Sequence, residues 1–410
     1  QYLHHDVWDR DLSSPPVLIT MKKDGQKKNA VALTTKTGFL YFFERDTGKP
    51  VYKIEERPVP HTSELDGEKL SATQPQPTFP APFMRQIFRE QDINPYLPDS
   101  SVADIRKRLL SYKNDNMYNP LSFQGTVVFP GLDGGAEWGG PTFDPETGIL
   151  YINANEMPWA LKAVDIRSKA NSHETFSQAG LRLYQATCMS CHGPERKGSG
   201  NFPSIADVKK KYSDVEINRL IQTGRRMMPA FKQLSDEQRE AIVSFVTENA
   251  SSGAKPFSEK SAKQNEHFRL PYTVKGYDKF LSKEGYPAIA PPWGTLNAYD
   301  VNAGKYLWKI PLGNDSTVKN SPSQTGMENY GASVATAGGV LFIAASKDGR
   351  FRAFNKRTGK LLREYKLPVP GFATPAIYSS GKRQFVVIAC GGGKQGIKSG
   401  DSYLAFALPE

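Results

Sequence analysis

Cysteine, long apolar runs and clustered basic residues are all scarce in this sequence, and each absence excludes a class of protein. The 410 residues include three cysteines, and because Cys188 and Cys191 share one motif, Cys390 has no partner for a structural disulfide. No apolar run is long enough to span a membrane, and no signal peptide stands at Gln1. Lysine and arginine form no run interleaved with aromatic residues, so no nucleic acid partner is expected.

The chain is basic and rich in turn residues. Its formal net charge of +11 at pH 7 favours an anionic cofactor or an acidic redox partner, with solubility as the plainer interpretation. Glycine and proline number 35 and 30, beside 18 tyrosines and 22 phenylalanines, which is typical of a turn-rich β protein. The length allows two domains, or one large domain with an insertion.

The segment Cys188-Met189-Ser190-Cys191-His192 has the spacing C-x-x-C-H. Two thiols one helical turn apart can each form a thioether to a haem vinyl group, and the following histidine is then placed to bind the iron. A redox C-x-x-C pair and a zinc site remain open as alternatives. Zinc would need further cysteine or histidine ligands nearby, and the next such residue is His267.

The residues around this motif favour haem. Residues 173–184 have the spacing of an amphipathic helix, and the polar residues 193–201 predict a glycine-rich loop. Further on, Met228-Pro229 places a soft thioether on a loop, which is a sixth ligand that raises the potential of haem iron. Ser235 and Gln238 predict a capping box at the start of another helix.

Motif, flanking helices and methionine loop together resemble a class I cytochrome c domain over about Ser172–Ala250. The resemblance implies covalent haem c, bound by thioethers at Cys188 and Cys191 and by the axial ligands His192 and Met228. Met227 is the alternative sixth ligand, although the methionine of the family directly precedes the proline. Covalent haem c is assembled outside the bacterial cytoplasm, so the resemblance also implies a periplasmic protein.

Short apolar strands separated by tight turns surround this segment. Strands are predicted at 17–21, 30–33, 39–43, 125–131, 149–153 and 295–300. The proline-rich stretch 57–98 is expected to be a long loop rather than part of the core, followed by a short helix at 105–110. A linker rich in serine and lysine is expected around 251–270, after which β structure resumes at Thr295. The haem segment is thus predicted to interrupt a β domain.

Three segments share one frame, in which a strand is followed by a glycine turn and by a second strand that ends in a large side chain. They cover 298–308, 353–363 and 42–52 and end in Trp308, Arg363 and Tyr52. Ordinary hairpins with Thr-Gly turns are the alternative, but agreement across three copies favours an internal repeat. The pattern resembles the tryptophan-docking motif that joins neighbouring blades in quinoprotein β-propellers.

The β part resembles the C-terminal half of dehydrogenases that use pyrroloquinoline quinone (PQQ), in particular membrane-type glucose dehydrogenases. The segments that carry the resemblance are 4–9, 35–38, 137–140, 292–294, 329–331 and 400–403. The family fold implies a mainly β protein, an eight-bladed propeller of which this chain holds about four blades, with an inserted all-α cytochrome c domain.

The expected units are propeller blades in 1–160, the cytochrome in 161–255, and a linker with further blades in 256–410. The opening residues favour a piece of a larger protein, or one half of a two-part enzyme. The N-terminal propeller half, in the same or a separate chain, is therefore an expected partner.

The resemblance also implies a site. Asp9 is expected to be the base that removes the substrate's hydroxyl proton, with Asp6 and Asp11 as alternatives, and Asp9 is also a candidate calcium ligand. Lys36 is expected to bond the quinone oxygen, and Asn153 to lie near the quinone. Two tryptophans near these segments are expected to pack rather than to contact substrate; they are Trp138 and Trp293.

The implied activity is oxidation of a sugar or alcohol by PQQ, followed by single-electron transfer to the haem and on to a downstream cytochrome or quinone. A non-catalytic electron-transfer protein with a propeller scaffold is the first rival. A binding module whose propeller recognises a partner is the second. The residues do not specify the substrate.

Overall fold

The computed structural model describes residues 1–166, 173–198, 202–258, 271–319, 321, 324–393 and 396–408. Ser172 and most of the predicted linker, from 259 to 270, lie outside the described residues. The strands are β1 Val17–Lys23, β2 Gln26–Thr34, β3 Leu40–Glu44, β4 Ile54–Pro58, β5 Thr73–Pro77, β6 Thr126–Val128, β7 Thr142–Asp144, β8 Ile149–Asn155, β9 Trp159–Leu161, β10 Ala163–Asp165, β11 Tyr272–Val274, β12 Asp278–Lys279, β13 Gly294–Asp300, β14 Lys305–Pro311, β15 Val334–Ala335, β16 Val340–Ile343, β17 Arg350–Asn355, β18 Leu361–Lys366, β19 Ala376–Ser380, β20 Arg383–Gly392 and β21 Ser399–Ala407. The helices are α1 Asp99–Ser111, α2 Phe176–Thr187, α3 Met189–His192, α4 Asp214–Thr223, α5 Asp236–Val246 and α6 Ala250–Gly253, with 3-10 turns at Glu90–Asp92 and Val208–Lys210.

Antiparallel sheets of three or four strands dominate the fold. Their strand orders are β1-β2-β3, β14-β13-β8-β7, β15-β16-β17-β18 and β19-β20-β21. A further three-stranded sheet has the order β12-β9-β6, and two-stranded sheets pair β10 with β11 and β4 with β5. Sheets of this size joined by tight turns are the blade unit of a propeller, as the repeated hairpins predict.

Helices α2 to α6 lie in the chain between the paired strands β10 and β11. Strand β8 pairs with β13, β9 with β12, and β10 with β11, so the chain leaves and re-enters through a nested set of strand pairs. Structure in the β part therefore resumes at Tyr272 rather than at the predicted Thr295. The strands β11 and β12 are only three and two residues long, which is too short to produce a periodic signal.

The proline-rich stretch 57–98 was expected to lie outside the core, and this prediction is wrong. Phe83, Met84 and Phe88 are buried in the largest hydrophobic cluster, together with Leu40, Leu150 and other strand residues. Prolines interrupt the alternation of apolar residues and remove backbone donors from a sheet. The large apolar side chains between them can still be buried in the core.

The helix starts follow local capping chemistry. Helix α2 begins at Phe176, not His173, because Thr175 and Gln178 form a capping box. The capping box predicted at Ser235 is confirmed, since its hydroxyl accepts from the backbone N–H of Gln238. Helix α1 is longer than the predicted 105–110, because polar residues of its first turns extend it toward Asp99.

The predicted docking tryptophan packs on the neighbouring repeat. A Cβ at Gly359 would lie 2.9 Å from the Trp308 ring, and the Trp308 indole N–H donates to the carbonyl of Arg357 at 3.1 Å. At Gly304 the packed ring is Phe79, from the proline-rich stretch. Tyr52 instead packs against Phe79 with the two rings tilted, their centroids 4.8 Å apart.

Replacing Gly359 by alanine tests this docking. Gly359 has a φ of 70° and an indole against it, so Gly359→Ala should lower the free energy of unfolding by about 2–4 kcal/mol through strain plus overpacking. Gly48 has a φ of 68° and nothing within 4 Å, so Gly48→Ala should cost only about 1–2 kcal/mol. Denaturant unfolding followed by fluorescence measures both; equal losses would contradict the docking role.

Cys390 was expected to be buried, and it is only 1% exposed.

In the described parts of the chain, no helix combines the length and apolar character that crossing a bilayer requires.

Candidate functional site

The N-terminal segment is anchored so that its aspartates are presented together. Trp8 is buried, and its indole N–H donates to a backbone carbonyl at 2.8 Å. The Asp6 carboxylate accepts from the backbone N–H groups of Trp8 and Arg10, at 2.9 and 2.8 Å. Asp6 therefore holds the turn, as expected for a turn carboxylate. Asp9 and Asp11 are left as the carboxylates that can take part in chemistry.

Asp9 combines an unusual backbone with an exposed carboxylate. Its φ of 57° lies in the left-handed region, which few residues with side chains adopt and which occurs often at functional sites. Its side chain is 68% exposed. The carboxylate is thus fixed at its base by the backbone but open to an approaching substrate.

The ammonium of Lys36 lies beside the carboxylates of Asp9 and Asp11. Its ammonium lies 3.2 Å from Oδ2 of Asp9 and 2.6 Å from Oδ1 of Asp11, and it also donates to the Asp9 carbonyl at 2.9 Å. The Lys36 side chain is only 9% exposed. Burial lowers the pKa of Lys36, but the Asp11 and Asp9 carboxylates outweigh it, so the pKa lies above the ordinary lysine value. The ammonium is therefore charged at neutral pH.

A glycine-rich segment, residues 131–140, packs against Lys36; we call it the site loop. A Cβ at Gly134 would collide with the Lys36 side chain, so glycine is required for this close approach. The backbone N–H of Gly135 donates to the Lys36 carbonyl at 2.8 Å, and that of Asn155 donates to the Gly135 carbonyl at 2.9 Å. The site loop therefore connects the Lys36 turn to strand β8.

Asn153 lies in β8 but bonds elsewhere. Its amide N–H groups donate to Oδ1 of Asn329 at 2.6 Å and to the carbonyl of Gly331 at 3.0 Å. Within the described ranges, the side-chain hydrogen bonds of Asn153 go to these two residues and not to Lys36. The structure thus joins Asp9 to Lys36, while Asn153 belongs to an adjoining amide network. Its contact with a quinone stays a prediction.

This amide network was not assigned a role from the sequence. Asn329 and Asn155 exchange hydrogen bonds, since the Asn155 amide oxygen accepts from the Asn329 backbone at 2.8 Å and its N–H donates back at 2.9 Å. The available signal was in β8, where every residue is buried yet Asn153 and Asn155 stand on one face. Buried amides at alternate positions require partners, and only packing shows which ones.

The two tryptophans differ in environment. Trp293 is 2% exposed and its indole N–H donates to the Ile289 carbonyl at 2.8 Å, which fits the expected packing role. Trp138, on the site loop, is 54% exposed, with its ring 5.7 Å from that of Tyr330. Trp138 thus packs on Tyr330 but is not buried as Trp293 is.

The C-x-x-C-H motif forms its own short helix, α3, directly after α2. The ring nitrogen Nδ1 of His192 lies 2.9 Å from the Pro203 carbonyl. Because a carbonyl only accepts, Nδ1 carries the proton, and Nε2 keeps its lone pair for a metal. Helices α2 and α5 pack closely at Gly180, where a Cβ would lie 2.7 Å from that of Phe245. These features fit covalent haem attachment.

The state of the thiols bears on the redox alternative. Burial raises the pKa of the Cys188 thiol to about 11, with Cys191 acting in the same direction. A redox C-x-x-C pair works with a lowered thiol pKa, so this environment disfavours that alternative.

Met228 and Met227 occupy different surroundings. Met228 is half-buried against the same helical core that Cys188 contacts, whereas Met227 is 75% exposed. Burial against this core favours Met228 as the sixth ligand, and the assignment stays a prediction.

Among the described residues, no group of three or more histidine, cysteine, aspartate or glutamate side chains is arranged to hold a metal ion. Calcium binding at Asp9 therefore stays a prediction.

Comparison with known families matches most of the chain. The model of the PQQ glucose/ethanol/alcohol dehydrogenase β-propeller domain matches residues 1–195 and 186–386. Quinoprotein glucose dehydrogenase A of Acinetobacter calcoaceticus is 28% identical over 424 residues, covering 100% of this chain and 42% of that protein. The glycerol dehydrogenase large subunit of Gluconobacter oxydans is 30% identical over 421 residues, covering 100% of this chain and 47% of that protein. The chain thus spans less than half the length of these relatives.

A separate relative matches the helical segment. Cytochrome c-551 of Bacillus subtilis is 34% identical over 70 residues, which covers 17% of this chain and 60% of that protein.

Proposed function

The chain belongs to the PQQ glucose/ethanol/alcohol dehydrogenase β-propeller family, and from this premise we propose that it acts as a quinohaemoprotein dehydrogenase. The proposed reaction is oxidation of a sugar or alcohol by PQQ, with electrons passed singly to covalently bound haem c. One observation carries the proposal: the buried Lys36 ammonium lies between the exposed carboxylates of Asp9 and Asp11.

The side chains present fit this chemistry. When bound, PQQ would supply the carbonyl that accepts hydride from the carbinol carbon of the substrate. Asp9 would take the hydroxyl proton, because its carboxylate is exposed and held by the backbone. The Lys36 ammonium would hold the quinone oxygen by a hydrogen bond and stabilise negative charge there.

Lys36 must exchange a partner to do so. Its three N–H groups already have acceptors in the Asp9 carbonyl, the Asp9 carboxylate and the Asp11 carboxylate. Asp11 meets Lys36 through its exposed side chain, whereas Asp9 also holds the ammonium through its backbone carbonyl, so Asp11 is the acceptor that gives way. In this proposal Asp11 keeps Lys36 extended toward the site until the quinone oxygen replaces it.

The helical segment supplies the electron outlet. Covalently bound haem c would supply a centre that accepts one electron at a time. Cys188 and Cys191 would hold it through thioethers, and His192, through Nε2, and Met228 would bind the iron. The Nδ1 contact of His192 with the Pro203 carbonyl supports this orientation.

The location of the protein, its calcium ion, its electron acceptor and its domain organisation belong to the same proposal. The protein lies in the periplasm, calcium binds with Asp9, and a cytochrome or quinone accepts the electrons. The β part forms about half of an eight-bladed propeller, completed by an N-terminal half. The units are 1–160, an inserted cytochrome at 161–255, and 256–410.

Reconstitution of the natively expressed protein tests the proposal. After loading with PQQ and calcium, glucose, ethanol and polyols are added in turn, and the α-band of the haem is followed. At least one substrate should reduce the haem at least as fast as the enzyme turns over with an artificial dye as acceptor. A haem that dithionite reduces but no substrate does would favour the electron-transfer protein without catalysis.

A further inference from the structure

The helical segment meets the sheets at the strands that flank it. Helix α3, which carries the C-x-x-C-H motif, packs against β11. Val164 of β10 contacts the core of the helical segment. On the other side, Val274 of β11 packs with Trp159 in a small cluster between the sheets. The motif helix therefore sits directly on the strand pair rather than at the end of a flexible tether.

An aromatic pair crosses this junction. The rings of Phe202 and Tyr277 have centroids 6.0 Å apart. Phe202 directly precedes Pro203, whose carbonyl binds Nδ1 of His192. Phe202 is thus linked to His192, the proposed iron ligand, through its peptide bond to Pro203 and the hydrogen bond of the Pro203 carbonyl.

The other side of the pair reaches the site loop. Tyr277 packs in the cluster that contains Trp159 and Leu132, and Leu132 belongs to the site loop. The same loop packs on Lys36 through Gly134. The path from the Lys36 site to the motif helix therefore runs through the backbone of the site loop, the packed side chains of this cluster and the aromatic pair.

The Tyr277 phenol is half-buried at the junction. Burial is the largest cause that raises its pKa above the ordinary tyrosine value. The phenol is neutral at physiological pH, and it brings no charge into the junction.

We propose that Phe202 and Tyr277 form an aromatic bridge that docks the haem segment and carries electrons from the quinone site to the haem. The inference rests on the proposed function. Each of the two electrons from the reduced quinone converts one ferric iron to ferrous, and a one-electron acceptor outside the chain reoxidises the iron between steps. The accompanying protons leave to solvent at the exposed Asp9 side.

The physical reason is packing. Electron tunnelling weakens steeply with distance and with gaps, and close-packed side chains leave few gaps. A ring removed from the junction would leave a void, which either fills with water or lets the haem segment shift.

Tyrosine variants separate this role from general stability. In the natively expressed protein, Tyr277→Ala should slow haem reduction by substrate about tenfold or more, since small misplacements of reacting centres cost large factors. Dye reduction taken directly from the quinone should stay at the wild-type rate. Tyr277→Phe keeps the ring and should behave as wild type. Tyr272→Ala, at the start of β11 and five residues earlier in the chain, is the matched control.

A second readout needs no quinone. In the haem-loaded protein without PQQ, Tyr277→Ala and Phe202→Ala should increase hydrogen exchange of the 202–208 backbone, with the haem midpoint potential measured alongside. Unchanged exchange would overturn the docking role. Unchanged haem reduction in Tyr277→Ala would overturn the electron route. If substrate reduces no haem even in the wild-type protein, both the proposed function and the electron route are wrong. The hydrogen-exchange result then tests the docking role by itself.

Discussion

Asp9→Asn is expected to lower the turnover of the PQQ-loaded protein by about 10²- to 10⁴-fold, because it removes the proposed general base. Asparagine has nearly the same shape and can still accept a hydrogen bond from Lys36, whose ammonium lies 3.2 Å from Asp9 Oδ2. The packing of the segment should therefore survive. Steady-state rates with an artificial acceptor measure the loss, and the haem spectrum should not change.

Asp11→Asn is the matched control for this variant. Asp11 also pairs with Lys36, at 2.6 Å, but the mechanism gives it only a holding role. Its replacement should weaken quinone affinity more than it lowers the maximal rate. If Asp11→Asn were inactive and Asp9→Asn active, the base would be Asp11 and the proposed roles would be exchanged.

Replacing both Cys188 and Cys191 by alanine is expected to abolish covalent haem completely. Thioethers need both thiols, and Cys390, at 1% exposure, is too buried to substitute for them. Haem staining after denaturing electrophoresis and intact mass measure the outcome. Reduction of an artificial dye by substrate should persist, because it does not require the haem.

Cys390→Ala provides the control and should keep its covalent haem. The double variant should also lose stability in the helical segment, since Cys188 and Met228 pack against its core. Haem that remained covalently attached in the double variant would show that the motif is not the attachment site. Stoichiometric zinc in the wild-type protein would instead support the zinc alternative.

Local chemistry accounts for the features that could be predicted from the sequence. The capping box at Ser235 and the C-x-x-C-H spacing each lie within a few residues, where chain connectivity sets the geometry. The hairpin repeats are local for the same reason, and the glycines at their turns, such as Gly304 with a φ of 66°, mark them. The resemblance to quinoprotein dehydrogenases rested on such short segments, and the family match supports it.

Where prediction failed, the deciding contact joined residues far apart in the chain. The burial of Phe83 and Phe88 depends on strands before and after them, and their proline-rich surroundings show no period. The ring packed over Gly304 comes from Phe79, which also lies in the proline-rich stretch. Such contacts depend on which surfaces meet when the whole chain packs, and sequence spacing does not record this.

The sequence by itself determined the chemistry available: a thioether motif, a histidine behind it, and aspartates and a lysine at positions typical of a quinone site. Only the tertiary structure decided which of them meet. It places the Lys36 ammonium between Asp9 and Asp11, commits Asp6 to its turn, and sets Tyr277 against Phe202. The reason is that covalent connectivity constrains neighbours in the chain, whereas distant groups are brought together only by burial of the surfaces that carry them.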